Sequence, residues 1–226
     1  MKRNIILTTD GSHSIAIPEM GVTYHSSHGA IQESEHVFIK TGLHYLQATF
    51  PSLSEIRVFE MGFGTGLNAL LTLIEAEKKQ QQIFYHSIER FPLQQDLYQS
   101  LNYCTALQRA DLQAQFDLLH DSPWNIKTDI NPNFSLLKTQ ENLASFTSSE
   151  KFHLVYFDAF APENQPELWT QEVFEKLFYM MEPGGVLTTY CSKSIVRKAM
   201  KAAGFTVEKI PGPPHKREIV RAAKRS

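Results

Sequence analysis

Cysteine is scarce: Cys104 and Cys191 are the two thiols among 226 residues, far apart and without a CxxC pair or histidine-rich company. Neither a disulfide framework nor a zinc site is expected, no metal ligand set is assigned, and each thiol reads as a small packed side chain. No apolar run approaches the ~18 residues that a membrane span needs. The start, Met1-Lys2-Arg3-Asn4-Ile5-Ile6-Leu7-Thr8, lacks the apolar length of a signal peptide. A cytoplasmic chain with no membrane partner is the expectation. There is no internal repeat, low-complexity tract or interdomain linker. With 42% hydrophobic residues, the chain can form one large domain or a domain with a small appendage.

Net charge is also small, at −2, but it hides an asymmetry. Residues 193–226 hold ten basic side chains against Glu208 and Glu218, a net of +8, so the preceding residues carry −10. Such segregation can present a positive face to a polyanion from an otherwise acidic protein. A solvated helix followed by a basic tail is the competing reading.

Against these absences stands one dense stretch, Val58-Phe59-Glu60-Met61-Gly62-Phe63-Gly64-Thr65-Gly66-Leu67-Asn68. A β-branched and aromatic run ends in an acid, three glycines follow at alternate positions, and an amphipathic pattern begins near Leu67. The order is strand, nucleotide loop, helix, with glycines admitting a flat ligand against the backbone. A dinucleotide fingerprint wants its third glycine five positions after the first; here that position is Leu67 and Gly66 comes one residue early. An acid two residues before G-x-G-x-G is the habit of S-adenosylmethionine (SAM) sites, where a carboxylate can face the cationic amino group. A glycine-rich turn without a ligand is the bland alternative.

Taken in order, Asp10-Gly11 between apolar runs predicts an opening hairpin, and residues 30–48 predict a helix broken near Gly42. Core strands are expected at 56–60, 83–88, 134–138, 153–157 and 186–190. Helices are expected at 67–79, 93–102, 107–120, 141–146, 168–181 and 195–203, with a closing hairpin at 205–209 and 218–222. Alternation of strand and helix implies parallel strands joined by crossovers, a Rossmann-like doubly wound α/β sheet. Residues 1–50 read as an N-terminal extension and 51–226 as the core domain. Ligands in such sheets collect at the carboxyl ends of strands, where Glu60, Glu89 and Asp158 all fall. Glu89 lies 23 residues beyond Gly66, near the offset at which an acid binds a ribose hydroxyl pair, with a surface carboxylate as the alternative.

The strand ending in Asp158-Ala159-Phe160-Ala161-Pro162 places an acid, an aromatic and a restricted backbone beside the expected methyl donor. Methyl transfer from a sulfonium is an in-line displacement, so the protein's task is mostly positioning. An amine acceptor arrives protonated and cannot attack; Asp158 can accept its hydrogen bonds and relay its proton to water. Phe160 can pack on a flat base or a developing cation. Asp158 as a cap or a SAM ligand alone is the competing reading, and Trp169 reads as core.

Together with these two motifs, Pro166-Glu167-Leu168-Trp169-Thr170, Pro183-Gly184-Gly185, Thr189-Tyr190, Ala203-Gly204-Phe205 and Lys216-Arg217-Glu218 carry a family resemblance. So do Ser27, Ala30, Glu33 and His36-Val37-Phe38. Over residues 24–222 the chain resembles the MnmC-type SAM-dependent methyltransferases, which finish 5-methylaminomethyl-2-thiouridine at the tRNA wobble position. The resemblance implies a seven-stranded class I methyltransferase fold with an antiparallel C-terminal hairpin. It implies Glu60, Gly62, Phe63, Gly64, Thr65, Gly66, Asn68, Glu89 and Asp158 around SAM, and Asp158 and Phe160 at the target amine. Pro162, Lys193, Lys216 and Arg217 are the implied contacts to substrate and to the tRNA anticodon loop.

Some bacterial relatives are fused to a flavin-dependent oxidoreductase; no residues here remain for that domain, so no flavin is expected and a separate enzyme must supply the aminomethyluridine. Where the family has Gly-Asp after its third core strand, contacting the adenine side, this chain has Lys138-Thr139-Gln140, with Glu141 as a substitute; Gln165 stands where Asn is common. The Pro213-Pro214 turn should stiffen the basic hairpin. Three other readings stay open: a SAM methyltransferase acting on a small-molecule amine, an NAD-dependent oxidoreductase, and a non-catalytic RNA-binding module.

Overall fold

The computed structural model describes residues 2–225. Strands β1 (Asn4–Leu7), β2 (His13–Ile17) and β3 (Val22–Thr23) form a small antiparallel sheet of their own. The expected hairpin is present, with Leu7 paired to His13 across the Asp10-Gly11 loop. Asp10 ties that loop together: its carboxylate accepts from Thr8, from the backbone and hydroxyl of Ser12, and from Gln32 N. The third strand, only two residues long, was not legible as a periodic pattern.

Residues 30–49 are helical without the break expected at Gly42. Helix α1 (Ala30–Ser34) continues through a π-helical stretch, Glu35–His44, into α2 (Tyr45–Thr49). Within that stretch Thr41 Oγ1 donates to His36 O, five residues back, at 2.8 Å. Gly42 is there for closeness, since a Cβ would stand 3.2 Å from both Leu154 and Thr188 on the sheet beneath.

The main sheet has eight strands. They are β4 (Glu55–Met61), β5 (Gln82–Ile88), β6 (Thr128–Asn131), β7 (Phe134–Thr139), β8 (Phe152–Phe157), β9 (Met181–Thr189), β10 (Thr206–Pro211) and β11 (Glu218–Ala223). Their order is β10-β11-β9-β8-β4-β5-β7-β6. The five inner strands β9, β8, β4, β5 and β7 pair in parallel, and the expected C-terminal hairpin adds β11 antiparallel to β9. The sequence reading missed β6, a short edge strand antiparallel to β7 with a bulge at Asp129 to Asn131. The expected turn at Glu182 to Gly185 is a bulge inside β9, where the register slips between Phe152 and Leu154 of β8.

Two apolar layers cover the sheet. Ile56, Val58, Tyr85, Leu136 and Tyr156 face Val37, Phe38 and Leu46 of the N-terminal helical run, together with α3 (Leu67–Lys79). Phe59, Phe84, Val155 and Phe157 face the opposite layer. Alternate residues of one strand point to opposite faces, so a doubly covered strand must be apolar throughout, as 56–59 nearly is. Each such side chain, fully buried, contributes about 1.5–3 kcal/mol.

The helices after β5 are shorter than the periodicity predicts. The 93–102 expectation reduces to α4 (Gln95–Gln99). The 107–120 expectation reduces to a 3-10 turn and α6 (Gln113–Asp121), with an unexpected short helix α5 (Tyr103–Ala106) ahead of it, because Gln108 takes a left-handed φ of 55° that no helix interior accommodates. Residues 141–146 are a turn rather than a helix. The Asn142 side chain accepts from Ala144 N at 3.0 Å, and Lys176 Nζ takes the carbonyls of Leu143 and Ala144 that a helix would use. Helix α7 (Gln171–Met180), capped by Thr170, and α8 (Ser194–Ala202) complete the second layer.

Candidate active site

A cavity of about 210 Å³ opens at the carboxyl ends of β4, β5 and β8. Backbone bonds join the three ends, with Gly62 N donating to Ile88 O and Asp158 N to Met61 O. The glycine loop therefore leaves β4 between the tip of β5, carrying Glu89, and the tip of β8, carrying Asp158. Gly62, Phe63, Gly64, Thr65, Asn68, Glu89, Asp158 and Phe160 line this one space, gathering most of the sequence-predicted site residues. Glu60 and Gly66 are not in its wall. Pro162, Lys193, Lys216 and Arg217 lie outside it as well.

Glu60 is 1% exposed and sits behind the wall. It accepts from Ser87 Oγ at 2.8 Å and from Asn68 Nδ2 at 3.1 Å. The same amide donates to Asp158 Oδ2 at 3.0 Å, so Asn68, on the first turn of α3, links the two carboxylates. Burial pushes Glu60 up to about 8; the bonds from Ser87 and Asn68 work against burial, and Asp158 adds repulsion. Asp158 is half-buried and is pushed up to about 7, chiefly by burial and then by the carboxylate of Glu33, with Asn68 and the Lys216 ammonium pulling the other way. A carboxylate poised near neutrality beside an open cavity suits proton transfer.

Glu89 holds the loop from the other side. Its carboxylate accepts from Gly64 N at 3.1 Å and from Phe91 N at 2.7 Å. Gly64 has Tyr24 lying against it, and a Cβ there would approach the ring to 3.1 Å. Tyr24 in turn meets Phe160 edge to face, with centroids 5.3 Å apart. Gln165 Oε1 accepts from Phe160 N at 2.9 Å and Trp169 Nε1 donates to Phe160 O at 2.8 Å, so both neighbours fix the aromatic after Asp158. Trp169 is otherwise core, as expected, and so are the free thiols Cys104 and Cys191.

Sequence reasoning missed the contribution of residues before 30. Arg3, Met20, Tyr24 and His25 all line the cavity, and Arg3 donates to the carbonyls of Phe91 and Pro92. Burial pushes His25 down to about 4, leaving it neutral. No local motif marks these residues, because tertiary contact alone brings them to the loop. Glu141 does line the cavity, with Asn142, whereas Lys138 is buried behind it.

The basic C-terminal residues are largely engaged within the protein. Lys216 pairs with Glu33 at 2.6 Å and lies 4.5 Å over the Tyr190 ring, while Tyr190 OH donates to Ala159 O. Lys193 pairs with Glu163, Lys209 with Glu218, and Arg221 with Glu208. Among the described residues Lys198, Lys201 and Arg217 are exposed and form no ion pair. No helix among the described residues is long and apolar enough to cross a membrane.

The cavity fits the SAM expected from the sequence. Among the described residues Thr65 Oγ1 and Asn68 Oδ1 find no hydrogen-bond partner in its wall, the polar atoms that an amino-acid tail would satisfy. Ile88, Phe91 and Leu168 supply apolar wall for a flat base.

Comparison with known proteins agrees. The chain is 31% identical over 204 residues to the tRNA 5-methylaminomethyl-2-thiouridine biosynthesis bifunctional protein MnmC of Leptospira interrogans, covering 87% of this chain and 32% of that protein. It is 31% identical over 209 residues to the bifunctional protein of the same description from Ectopseudomonas mendocina, covering 88% and 32%. It therefore spans about a third of the length of these curated relatives. The crystal structure of MNMC2 from Aquifex aeolicus superposes with a TM-score of 0.76 at 23% identity, covering all of this chain and 71% of that one, which bears out the fold. Residues 107–225, more than half of the chain, match the family model described as S-adenosyl-L-methionine-dependent methyltransferase, and the chain belongs to that family.

Proposed function

We propose that the protein N-methylates the 5-aminomethyl group of 5-aminomethyl-2-thiouridine at the wobble position of tRNA. The observation that carries this reading is the presence of Asp158 and Phe160 in the cavity of the glycine loop, in a chain resembling the tRNA-modifying relatives over nearly its whole length. SAM, when bound, supplies an electrophilic methyl group on a sulfonium.

Gly62, Phe63 and Gly64 give the cofactor an open backbone, Thr65 and Asn68 offer the two unpartnered polar atoms, and Glu89 faces the ribose hydroxyls. Glu60 acts through Asn68 rather than by touching the ligand. Asp158 accepts a hydrogen bond from the acceptor ammonium and takes its proton, which frees the lone pair for in-line attack. The proton then passes to water at the cavity mouth. Phe160 packs on the uracil ring of a base splayed from the anticodon loop. Pro162 shapes the mouth. Arg217 meets phosphates with Lys198 and Lys201, and Lys193 joins them by leaving Glu163. Lys216 does so only by leaving Glu33. The aminomethyl substrate comes from a separate enzymatic step.

Nucleoside analysis of tRNA from a strain lacking the protein tests the reading. Accumulation of 5-aminomethyl-2-thiouridine is expected, and an unchanged profile would remove the tRNA assignment. Turnover of a free amine by the purified protein, without tRNA methylation, would favour the small-molecule alternative.

A further inference from the structure

Strand β7 alternates cleanly, with Phe134, Leu136 and Lys138 directed inward. The first two belong to the apolar layer, and the third is a lysine only 1% exposed. Among the described residues no carboxylate lies within ion-pair distance of its ammonium. It lies 5.2 Å from the centroid of Phe63 and 4.8 Å from that of Trp124. It donates to the carbonyl of His120, in the last turn of α6, where carbonyls lack intrahelical partners and a cation is favoured. His120 runs from there to the glycine loop, its Nε2 donating to Thr65 O at 3.0 Å. A Cβ on Gly66 would stand 2.8 Å from the same nitrogen. The ring is stacked on Tyr98 at 4.3 Å and nearly parallel, and it meets Phe63 edge to face.

A methionine would fill this space with no charge to desolvate, so packing does not require lysine here. What lysine adds is a directed donor to the end of α6 and an attraction to two rings, one of which belongs to the glycine loop. We propose that Lys138 is a positioning residue for the cofactor loop: caged by Phe63 and Trp124, it fixes the end of α6 so that His120 braces the Thr65 carbonyl from behind. The titratable groups facing it are few. Burial keeps His120 neutral, pushed down to about 3, and Asp121, which draws Lys138 upward, accepts from Tyr98 OH. Against that, burial pulls Lys138 down to about 8, so the ammonium is present at neutral pH and is lost above it.

The test is calorimetric binding of SAM to the full chain, which needs no acceptor and does not depend on the tRNA reading. Lys138→Met should weaken SAM binding about tenfold, or ~1.4 kcal/mol, while the melting temperature stays the same or rises. The ratio of parent to variant affinity should shrink as pH increases from 7 to 9.5. A merely structural lysine predicts a lower melting temperature with a pH-independent ratio. SAM affinity within twofold of the parent in a folded Lys138→Met protein would overturn the proposal. Should that variant not fold, Trp124→Leu decides. It keeps the lysine, opens the cage and should weaken SAM binding about threefold, and an unchanged affinity would equally overturn it.

Discussion

The donor end and the acceptor end of the cavity are assembled differently. The donor end takes its loop and most of its wall from one short run of chain, β4 to Glu89, in which the strand, the glycine loop, α3 and β5 follow one another. The acceptor end is a convergence of distant segments. Asp158 and Phe160 follow β8, Tyr24 and Glu33 come from before β4, Tyr190 follows β9, and Lys216, outside the cavity wall, meets Glu33 and Tyr190 from the hairpin between β10 and β11. A scaffold that binds a common donor can thus stay largely local, while the part that meets an acceptor draws on pieces from separate parts of the chain.

If the two ends have separate duties, Asp158→Asn should divide them most sharply. Methyl transfer should fall by about 10²–10⁴, measured as single turnover at saturating SAM, with SAM affinity nearly kept. The parent rate should rise with pH through about 7 as Asp158 loses its proton, and the variant should lack that limb. Stability should move the other way. Because folding raises this carboxyl above 3.8, its contribution is full at acid pH and is lost as pH rises through about 7. The asparagine variant should therefore melt no lower than the parent at pH 8.

Gly66→Ala attacks the donor end alone. Its φ of 72° and the 2.8 Å approach to His120 Nε2 predict a cost of at least about 1–2 kcal/mol from backbone strain, with SAM binding weakened tenfold or more. Retained affinity in titration would show that the loop has more freedom than its packing allows.

A milder change should expose the convergence at the acceptor end. Glu33→Gln removes a carboxylate that raises Asp158 and releases Lys216, which lowers it. Both effects should carry the acid limb of the rate profile to lower pH, and a limb that stays in place would sever Glu33 from the acceptor end. Smallest of all, Lys193→Ala should leave stability within about 1 kcal/mol, since its pair with Glu163 is exposed. It should reduce the salt dependence of tRNA binding by about one charge.

This contrast also explains what was legible in the sequence. Periodicity and turn chemistry marked the inner strands, α3, α7 and α8, and the strand-tip acids, because each rests on a local rule. Residues 141–146 carried a helical pattern, yet Lys176 and the Asn142 side chain claimed the backbone groups it needed. Gln108 ended a helix that its neighbours favoured. The basic tail suggested a continuous positive face, whereas Lys193, Lys209, Lys216 and Arg221 each found an acid, partners that no spacing along the chain announces. Tyr24 and His25 were invisible as site residues for the same reason.

Asn68 has a consequence for the order of events. One amide nitrogen serves Glu60 and Asp158 together, so a ligand that draws the side chain toward either carboxylate weakens its hold on the other. If donor and acceptor each draw on this side chain, their binding is linked through a single rotamer, and such a linkage has to be reciprocal: whatever factor SAM then imposes on acceptor affinity, the acceptor imposes on SAM.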